Sequence, residues 1–345
     1  MIVFLALAIG IWVLGRLRDI PVALRLWAIT ALCGAFAGLA YGVPAVHVIL
    51  GDQPSSWLVL FVLLLVVNGY RAVLGMARMR VDRQNASQDT PKPAVDSASE
   101  LTRSARHIML REIGGLGQRK IKSANILVIG AGGLGSPVLQ ILGGAGVGTI
   151  GIIDPDVVDL SNLQRQLIHK DADIGLPKVF SAQAAIVAQN PYVTVKPYHR
   201  AFDESNADAL VAEYDLVIDG SDSFDTRYLA NRICHAQKKP LVLGALSQWE
   251  GQLSVFDTAK GTPCYKCVFD APPAPHLAPS CAEAGVFSPL PSIVGAMMAS
   301  EALKHVTGAG QGLLGQMLIY DALYGESRVM AIKPRPSCAV CGHTA

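Results

Sequence analysis

The stretch Asn125-Ile-Leu-Val-Ile-Gly-Ala-Gly-Gly-Leu-Gly135, followed by Ile152-Ile-Asp154 and then Asn162-Leu-Gln-Arg-Gln166, restricts what this chain can fold into more than any other feature. It predicts strand, glycine turn, helix, strand and carboxylate, the opening unit of a doubly wound nucleotide-binding sheet. Gly130, Gly132, Gly133 and Gly135 are the candidate phosphate-binding glycines. Gly130 permits the tight turn, Gly132 lets backbone approach phosphate, and Gly135 lets the next helix pack on the sheet. That helix's free N–H groups and dipole favour an anion. Asp154 ends the following strand about twenty residues beyond the turn, where a carboxylate can accept both ribose hydroxyls. The glycines alone favour NAD over ATP. Arg165 and Lys178 shift the expectation to ATP, because a dinucleotide pyrophosphate needs little beyond the helix N-terminus whereas a triphosphate needs neutralising cations.

Apolar runs predict further strands, giving the set 126–129, 149–153, 215–219, 240–245, 252–256 and 317–320, with helices over 133–145, 177–189, 226–237 and 291–307. Alternating strands and helices imply a single α/β domain over 101–345, a Rossmann-like, mostly parallel sheet. No internal repeat interrupts it.

The chain before residue 100 is of another kind. Of the 345 residues, 51% are hydrophobic and 16% charged, and a mean hydropathy of +0.36 is high for a water-soluble enzyme. The excess lies before residue 80. Leu26 to Leu50 carries no Asp, Glu, Lys or Arg, and Trp57 to Ala77 carries only Arg71. Each is long enough to cross a hydrocarbon core as a helix. Residues 1–15 are uncharged but short, and are either a third span or a segment lying in the interface; they lack the basic n-region and cleavage site of a signal peptide. A transmembrane anchor of two or three helices is thus expected over 1–80. Arg16, Arg18 and Arg25 precede the second segment and Arg71, Arg78, Arg80 and Arg83 close the last, while Gly51 to Ser56 holds no positive charge. The positive-inside rule then puts the protein in the inner membrane with its C-terminal domain facing the cytoplasm. Val81 to Glu100, rich in Pro, Ser, Asp and Gln, reads as a flexible linker. A net charge of +2 gives no reason to expect nucleic acid as a partner.

The cysteines divide by spacing. Cys264-x-x-Cys267 and Cys338-x-x-Cys341 are two knuckles about seventy residues apart, each able to bite a tetrahedral metal. Disulfides are disfavoured in the cytoplasm, and four thiolates favour zinc in a structural role, pinning the tail to a crossover region. Cys33 and Cys234 read as apolar fillers. His107, His169 and His235 read as surface or helix residues.

From Arg103 onward the chain resembles the ThiF/MoeB/HesA family, prokaryotic relatives of ubiquitin-activating enzymes. The resemblance rests on Arg103-Ser-Ala-Arg106-His-Ile, the glycine motif, Asp154-Pro-Asp156, Leu160-Ser-Asn-Leu-Gln-Arg-Gln166, Gly175-Leu-Pro-Lys178, Asp219-Gly-Ser-Asp222, Gly251-Gln252, the two cysteine knuckles and Cys281-Ala-Glu-Ala-Gly-Val286. It implies MgATP-dependent adenylation of the C-terminal Gly-Gly of a ubiquitin-fold sulfur carrier, with release of pyrophosphate, ahead of thiocarboxylate formation. The motifs lean toward the molybdopterin-synthase branch over the thiazole branch. Under the resemblance Arg165 and Lys178 contact ATP phosphates, Asn162 lies near them, Asp154 takes the ribose, and Asp222 organises Mg2+. Arg106 matches an arginine that reaches the partner's site in a homodimer. Cys281 matches a position where some members form a covalent sulfur link and others do not; a free thiol is the alternative. The chain stops four residues after Cys341, so sulfur is expected from a separate donor, a cysteine desulfurase or rhodanese.

Each residue also has a plainer reading. A lone Arg or Lys is ordinarily a solvated face, Asp222 can cap the next helix, and Asp156 suits loop ordering better than contact with ATP. Ser223 stands where many relatives have Asn, and Ser104 where they have Tyr. The membrane segment is the largest departure from the family. An NAD-dependent oxidoreductase, and a non-catalytic membrane scaffold for a ubiquitin-like partner, are the competing functions. The first has no use for Arg165, Lys178 and the cysteine knuckles, and the second none for an intact ATP site.

Overall fold

The computed structural model describes residues 2–17, 22–42, 54–86, 98–273 and 284–342. The chain divides into two compact units, Met1–Lys92 and Pro93–Ala345.

The first unit consists of α1 (Ile2–Leu17), α2 (Val22–Gly42) and α3 (Pro54–Ala86). Its small core is aromatic: the Phe4 ring lies 5.8 Å from Phe36 and 5.3 Å from Trp57, with Cys33 and Ala37 buried beside them. Asn68 Nδ2 donates to Thr30 Oγ1 at 2.7 Å, and Thr30 donates to the Leu26 carbonyl at 2.9 Å, so both of these buried polar side chains find a partner on a helix. Among the described residues one stretch, Ser55–Ala72, is long and apolar enough to cross a membrane, while Phe4–Arg16 and Leu24–Leu39 are shorter apolar stretches. Of the span expected at 26–50, residues up to Gly42 belong to α2, which starts at Val22, and residues 43–50 lie outside the described residues. Both ends of the expected linker are helical, and residues 87–97 lie outside the described residues. Met, Arg, Gln and Ala favour helix, so α3 continues to Ala86, and helix resumes at Ala98.

The second unit opens with α4 (Ala98–Ile108) and α5 (Gly114–Ser123). Then come β1 (Asn125–Ile129), α6 (Gly135–Ala145), β2 (Thr149–Ile153), α7 (Lys178–Gln189), β3 (Thr194–Tyr198), α8 (Ala207–Ala212), β4 (Leu216–Asp219) and α9 (Phe224–Ala236). The chain continues through β5 (Leu241–Leu246), β6 (Glu250–Phe256), α10 (Tyr265–Val268), α11 (Pro289–Thr307), β7 (Gln316–Asp321) and β8 (Glu326–Ala331). One eight-stranded sheet runs β3-β2-β1-β4-β5-β6-β7-β8. The first five strands pair parallel and the last three join antiparallel, so the sheet is mixed where a mostly parallel one was expected. Two strands escape the sequence reading, and both are edges. β3 carries Lys196 and Pro197, and all six residues of β8 are exposed; an edge strand with little to bury shows no apolar run.

Alternation along the strands builds two core layers. Ile126, Val128, Ile150, Ile152 and Ile218 face α6, α7 and α11. Leu127, Ile129, Ile153 and Val217 face α8 and α9. Leaving β1 toward β2 on one side and returning at β4 on the other creates a switch point, and a crevice opens beyond the strands' carboxyl ends. Gly130 occupies it with φ +90°, its N–H donating to Ile153 O at 2.9 Å.

The turn leaves no room for a side chain at the helix start, since a Cβ on Gly135 would lie 1.9 Å from Gly130 O. Gly135→Ala is expected to destabilise the domain by about 3 kcal/mol, read by denaturant unfolding. Gly132→Ala, whose Cβ would meet only Gln166 Nε2 at 3.8 Å, is expected to stay within about 0.5 kcal/mol of the parent. Equal stability of the two variants would overturn this account of the turn.

Candidate active site

The cradle is built around the Ala131 peptide. Its N–H donates to Asp154 Oδ2 at 2.7 Å, and Asp154 Oδ1 accepts the Asp156 N–H at 2.8 Å. Asp154 thereby ties the turn after β1 to the loop after β2. Burial pushes its carboxyl above the usual range, while Lys178 and the two N–H donors pull it back. A carboxylate offers about four lone-pair sites, so acceptor capacity remains for ribose hydroxyls.

The Ala131 carbonyl is held from the other side. His169 Nε2 lies 2.9 Å from it, His169 Nδ1 lies 2.8 Å from Ser181 Oγ, and Ser181 Oγ lies 2.7 Å from Asp173 Oδ2. The expectation of a surface or helix histidine is thus corrected: His169 is 6% exposed and sits beneath the turn. Burial chiefly pushes its pKa below the ordinary histidine value. The Gly132 carbonyl accepts from Ser136 N at 2.9 Å, and no side chain caps the N-terminus of α6. Carbonyls are drawn inward and the helix N-terminus is left with open donors, the arrangement that suits an anion.

Arg165 and Gln166 lean on this turn. Asp159 caps the short helix Leu160–Asn162, its Oδ1 accepting Ser161 N–H at 2.8 Å. Arg165 Nη1 donates to Ser161 O at 3.0 Å, and Arg165 Cδ lies 3.9 Å from where a Gly133 Cβ would stand. Asn162 is half-buried, with its side chain engaged in the Asp159 capping box. Gln166, not singled out from the sequence, is buried, and its Oε1 has no partner among the described residues; its place after Arg165 in the motif was the one available signal. Lys178 starts α7 with its side chain 7% exposed, and Nζ meets Asp156 Oδ2 at 2.8 Å. Asp156 itself is 63% exposed, so a phosphate drawing on Lys178 competes with a solvated partner.

The opposite wall follows β4. Asp219 is wholly buried; its Oδ1 accepts Ser221 N–H at 2.9 Å and Ser221 Oγ–H at 2.6 Å, while Oδ2 has no partner among the described residues. Burial raises its pKa, against the pull of Arg227. Asp222 is exposed at the crevice. It does not cap α9: Ser223 does, accepting from Thr226 N at 3.3 Å. Serine at 223 therefore has a structural use of its own.

The crevice gathers the glycines, Asp154, Asn162, Arg165 and Lys178, with Asp222 following β4 across the switch point. Arg106 is exposed on α4 and is not brought into the cradle of its own chain. Cys281 lies outside the described residues. The knuckle cysteines do converge. Their sulfurs all lie within 4.8 Å of one another, with Cys264 3.6 Å from Cys338 and Cys267 3.3 Å from Cys341. Four sulfurs this close, from two turns, form a donor set that fits a tetrahedral metal.

Residues 104–340 match the model of the ThiF family. The chain is 47% identical over 247 residues to the sulfur carrier protein adenylyltransferase of Thermus thermophilus, covering 70% of this chain and 91% of that protein. It is 43% identical over 245 residues to the SAMP-activating enzyme E1 of Haloferax volcanii, covering 71% and 90%. Among solved structures, Escherichia coli MccB with ATP superposes with a TM-score of 0.58 at 22% identity, over 66% of this chain and 69% of that one. That likeness concerns the fold.

Proposed function

The chain belongs to the ThiF family, and from its site we propose that it adenylates the C-terminal Gly-Gly of a ubiquitin-fold sulfur carrier with MgATP. The observation that carries this reading is the uncapped glycine turn flanked by Arg165 and a buried Lys178. A carrier carboxylate oxygen bonds to the α-phosphorus, the bond to the β-phosphate oxygen breaks, and pyrophosphate leaves with the electron pair. The nucleophile is already ionised at neutral pH, so no base is required. The difficulty is bringing two anions together, and positive charge aimed at the phosphates relieves it. Arg165, Lys178 and the α6 N-terminus supply that charge, Asp154 takes the ribose, Asn162 lies near the phosphates, and Asp222 offers hard oxygens to Mg2+. A cavity of about 310 Å3 lined by Phe224, Arg227, Leu246, Tyr265, Phe269 and Met317 begins two residues beyond Asp222 and suits an extended peptide tail. Arg106 completes the site from the partner in a homodimer. A separate sulfur donor then displaces AMP, with Cys281 as the candidate for a covalent link. The molybdopterin-synthase small subunit is the first carrier to try. The NAD-dependent and scaffold alternatives gain no support from the relatives, which carry adenylyltransferase and activating-enzyme names.

Lys178→Ala and Arg165→Ala are each expected to cut carrier-dependent ATP–pyrophosphate exchange by about thirty- to a thousand-fold, as losing a transition-state charge contact worth about 2–4 kcal/mol would do. Exchange at parent rates in both variants would sink the ATP-site assignment.

Zinc is proposed for the four-cysteine cluster. Metal analysis is expected to find about one zinc per chain, and Cys264→Ser to lose it together with thermal stability. Purified protein that is folded and zinc-free would refute this.

We also propose that the first unit anchors the protein in the inner membrane with the adenylating domain on the cytoplasmic side. Only 11% of the Ser55–Ala72 stretch is buried within the protein, leaving apolar surface for lipid to cover. The full chain is expected to stay in the membrane fraction through high-salt and alkaline washes and to leave it in detergent. Release without detergent would rule the anchor out.

A further inference from the structure

A phosphate cradle needs its N–H groups turned outward, and it equally needs its carbonyl oxygens turned away, since a carbonyl dipole facing a phosphate repels it. In this turn the Gly132 carbonyl is engaged by the helix itself through Ser136 N. The Ala131 carbonyl lies one residue too early for that. Its short contact is with a side chain, His169 Nε2 at 2.9 Å, supplemented by Ser136 Oγ at 3.4 Å. A carbonyl can only accept, so Nε2 carries the proton. Nδ1 then faces Ser181 Oγ, whose single proton serves either Nδ1 or Asp173 Oδ2, at 2.8 and 2.7 Å. His169, Ser181 and Asp173 come from three different segments and are otherwise unexplained by the adenylation chemistry. The charged groups facing the ring are Lys178, Asp154 and Asp173.

Resting on the ATP reading above, we propose that His169 is a positioning residue for the phosphates: its Nε2–H holds the Ala131 carbonyl inward so that the turn presents donors alone to the nucleotide, and Ser181 with Asp173 fixes the ring for that task. The histidine touches no substrate. It acts on the triphosphate end of the site, leaving the adenosine end to other groups, so its loss separates the affinities of two ligands that share a base and sugar.

The test measures binding of MgATP, and of adenosine by competition, to the full-length protein in detergent. His169→Ala is expected to weaken MgATP about tenfold, the scale of a buried carbonyl left unpaired, while adenosine stays within about twofold. His169→Gln, whose terminal amide can reach the Nε2 position as a donor, is expected to restore MgATP to within about threefold of the parent. Ser181→Ala, which loosens the ring but keeps Nε2–H, is expected to fall between them. Equal loss of both ligands in His169→Ala, or equal weakening of MgATP in the Ala and Gln variants, would reduce His169 to a packing residue and overturn the proposal. If His169→Ala does not fold, the Gln and Ser181 variants decide by the same ratios. A parent that binds MgATP but exchanges no pyrophosphate with any carrier removes the adenylation reading and leaves His169 judged on binding; a parent that binds no MgATP removes both.

Discussion

Everything in the crevice depends on one peptide being held from both ends. The Ala131 N–H is taken by Asp154 and its carbonyl by His169, and neither partner belongs to the turn. Asp154 reaches across from the end of β2, and His169 rises from the loop that also carries Arg165. The charged residues proposed to face phosphate are thus positioned by the same segments that hold the turn. The arrangement also explains why buried ionisable groups are tolerated here. Asp154 is buried against two N–H donors and near Lys178, and each of these offsets part of its desolvation.

The antiparallel half of the sheet does a different job. The five parallel strands finish a nucleotide-binding unit by β5, and such a unit ends in an exposed edge. Strands β6 to β8 cover it, and the segment between β6 and α11 brings Cys264 and Cys267 to the tail that carries Cys338 and Cys341. The zinc proposed for these four sulfurs would tie the covering strands at both ends without needing a large core. The cavity beside Arg227 draws on both halves, lined by α9 and β5 from the first and by β6, Tyr265, Phe269 and Met317 from the second.

How much of this could be read from the chain follows from what each feature buries. The strand–turn–helix unit was legible because its strands are buried on both faces and its glycines answer a steric demand, 1.9 Å at Gly135, that no other residue meets. The cysteine cluster was legible because a metal knuckle is local. The edge strands β3 and β8 were not, since neither buries enough to leave an apolar pattern. His169 was misread for a related reason. A histidine in a polar loop looks solvated until a tertiary contact with Ala131, far off in sequence, shows where it goes, and spacing cannot announce such a contact. The plainer reading of Asp222 as a helix cap could not be settled from sequence, because Asp and Ser are both good N-caps and only geometry gives the cap to Ser223.

The two units use the same residue types in opposite ways, and this carries an argument of its own. In the second unit nearly all of the Leu, Ile and Val of β1, β2 and β4 are buried. In the first, Val59, Leu63 and Val66 on α3 are 68%, 59% and 63% exposed, although the helix packs Trp57 and Asn68 inward. A helix that hides Asn68 and shows these valines inverts the rule for a water-facing surface. The hydrogen bond from Asn68 to Thr30 pairs buried polar groups across two apolar helices, as would suit helices meeting in lipid. The high overall hydropathy is therefore the sum of two regimes, one apolar toward its own core and one apolar outward. A bilayer is the solvent we propose for the second regime, and the inverted burial of α3 supports that choice independently of the arginine asymmetry.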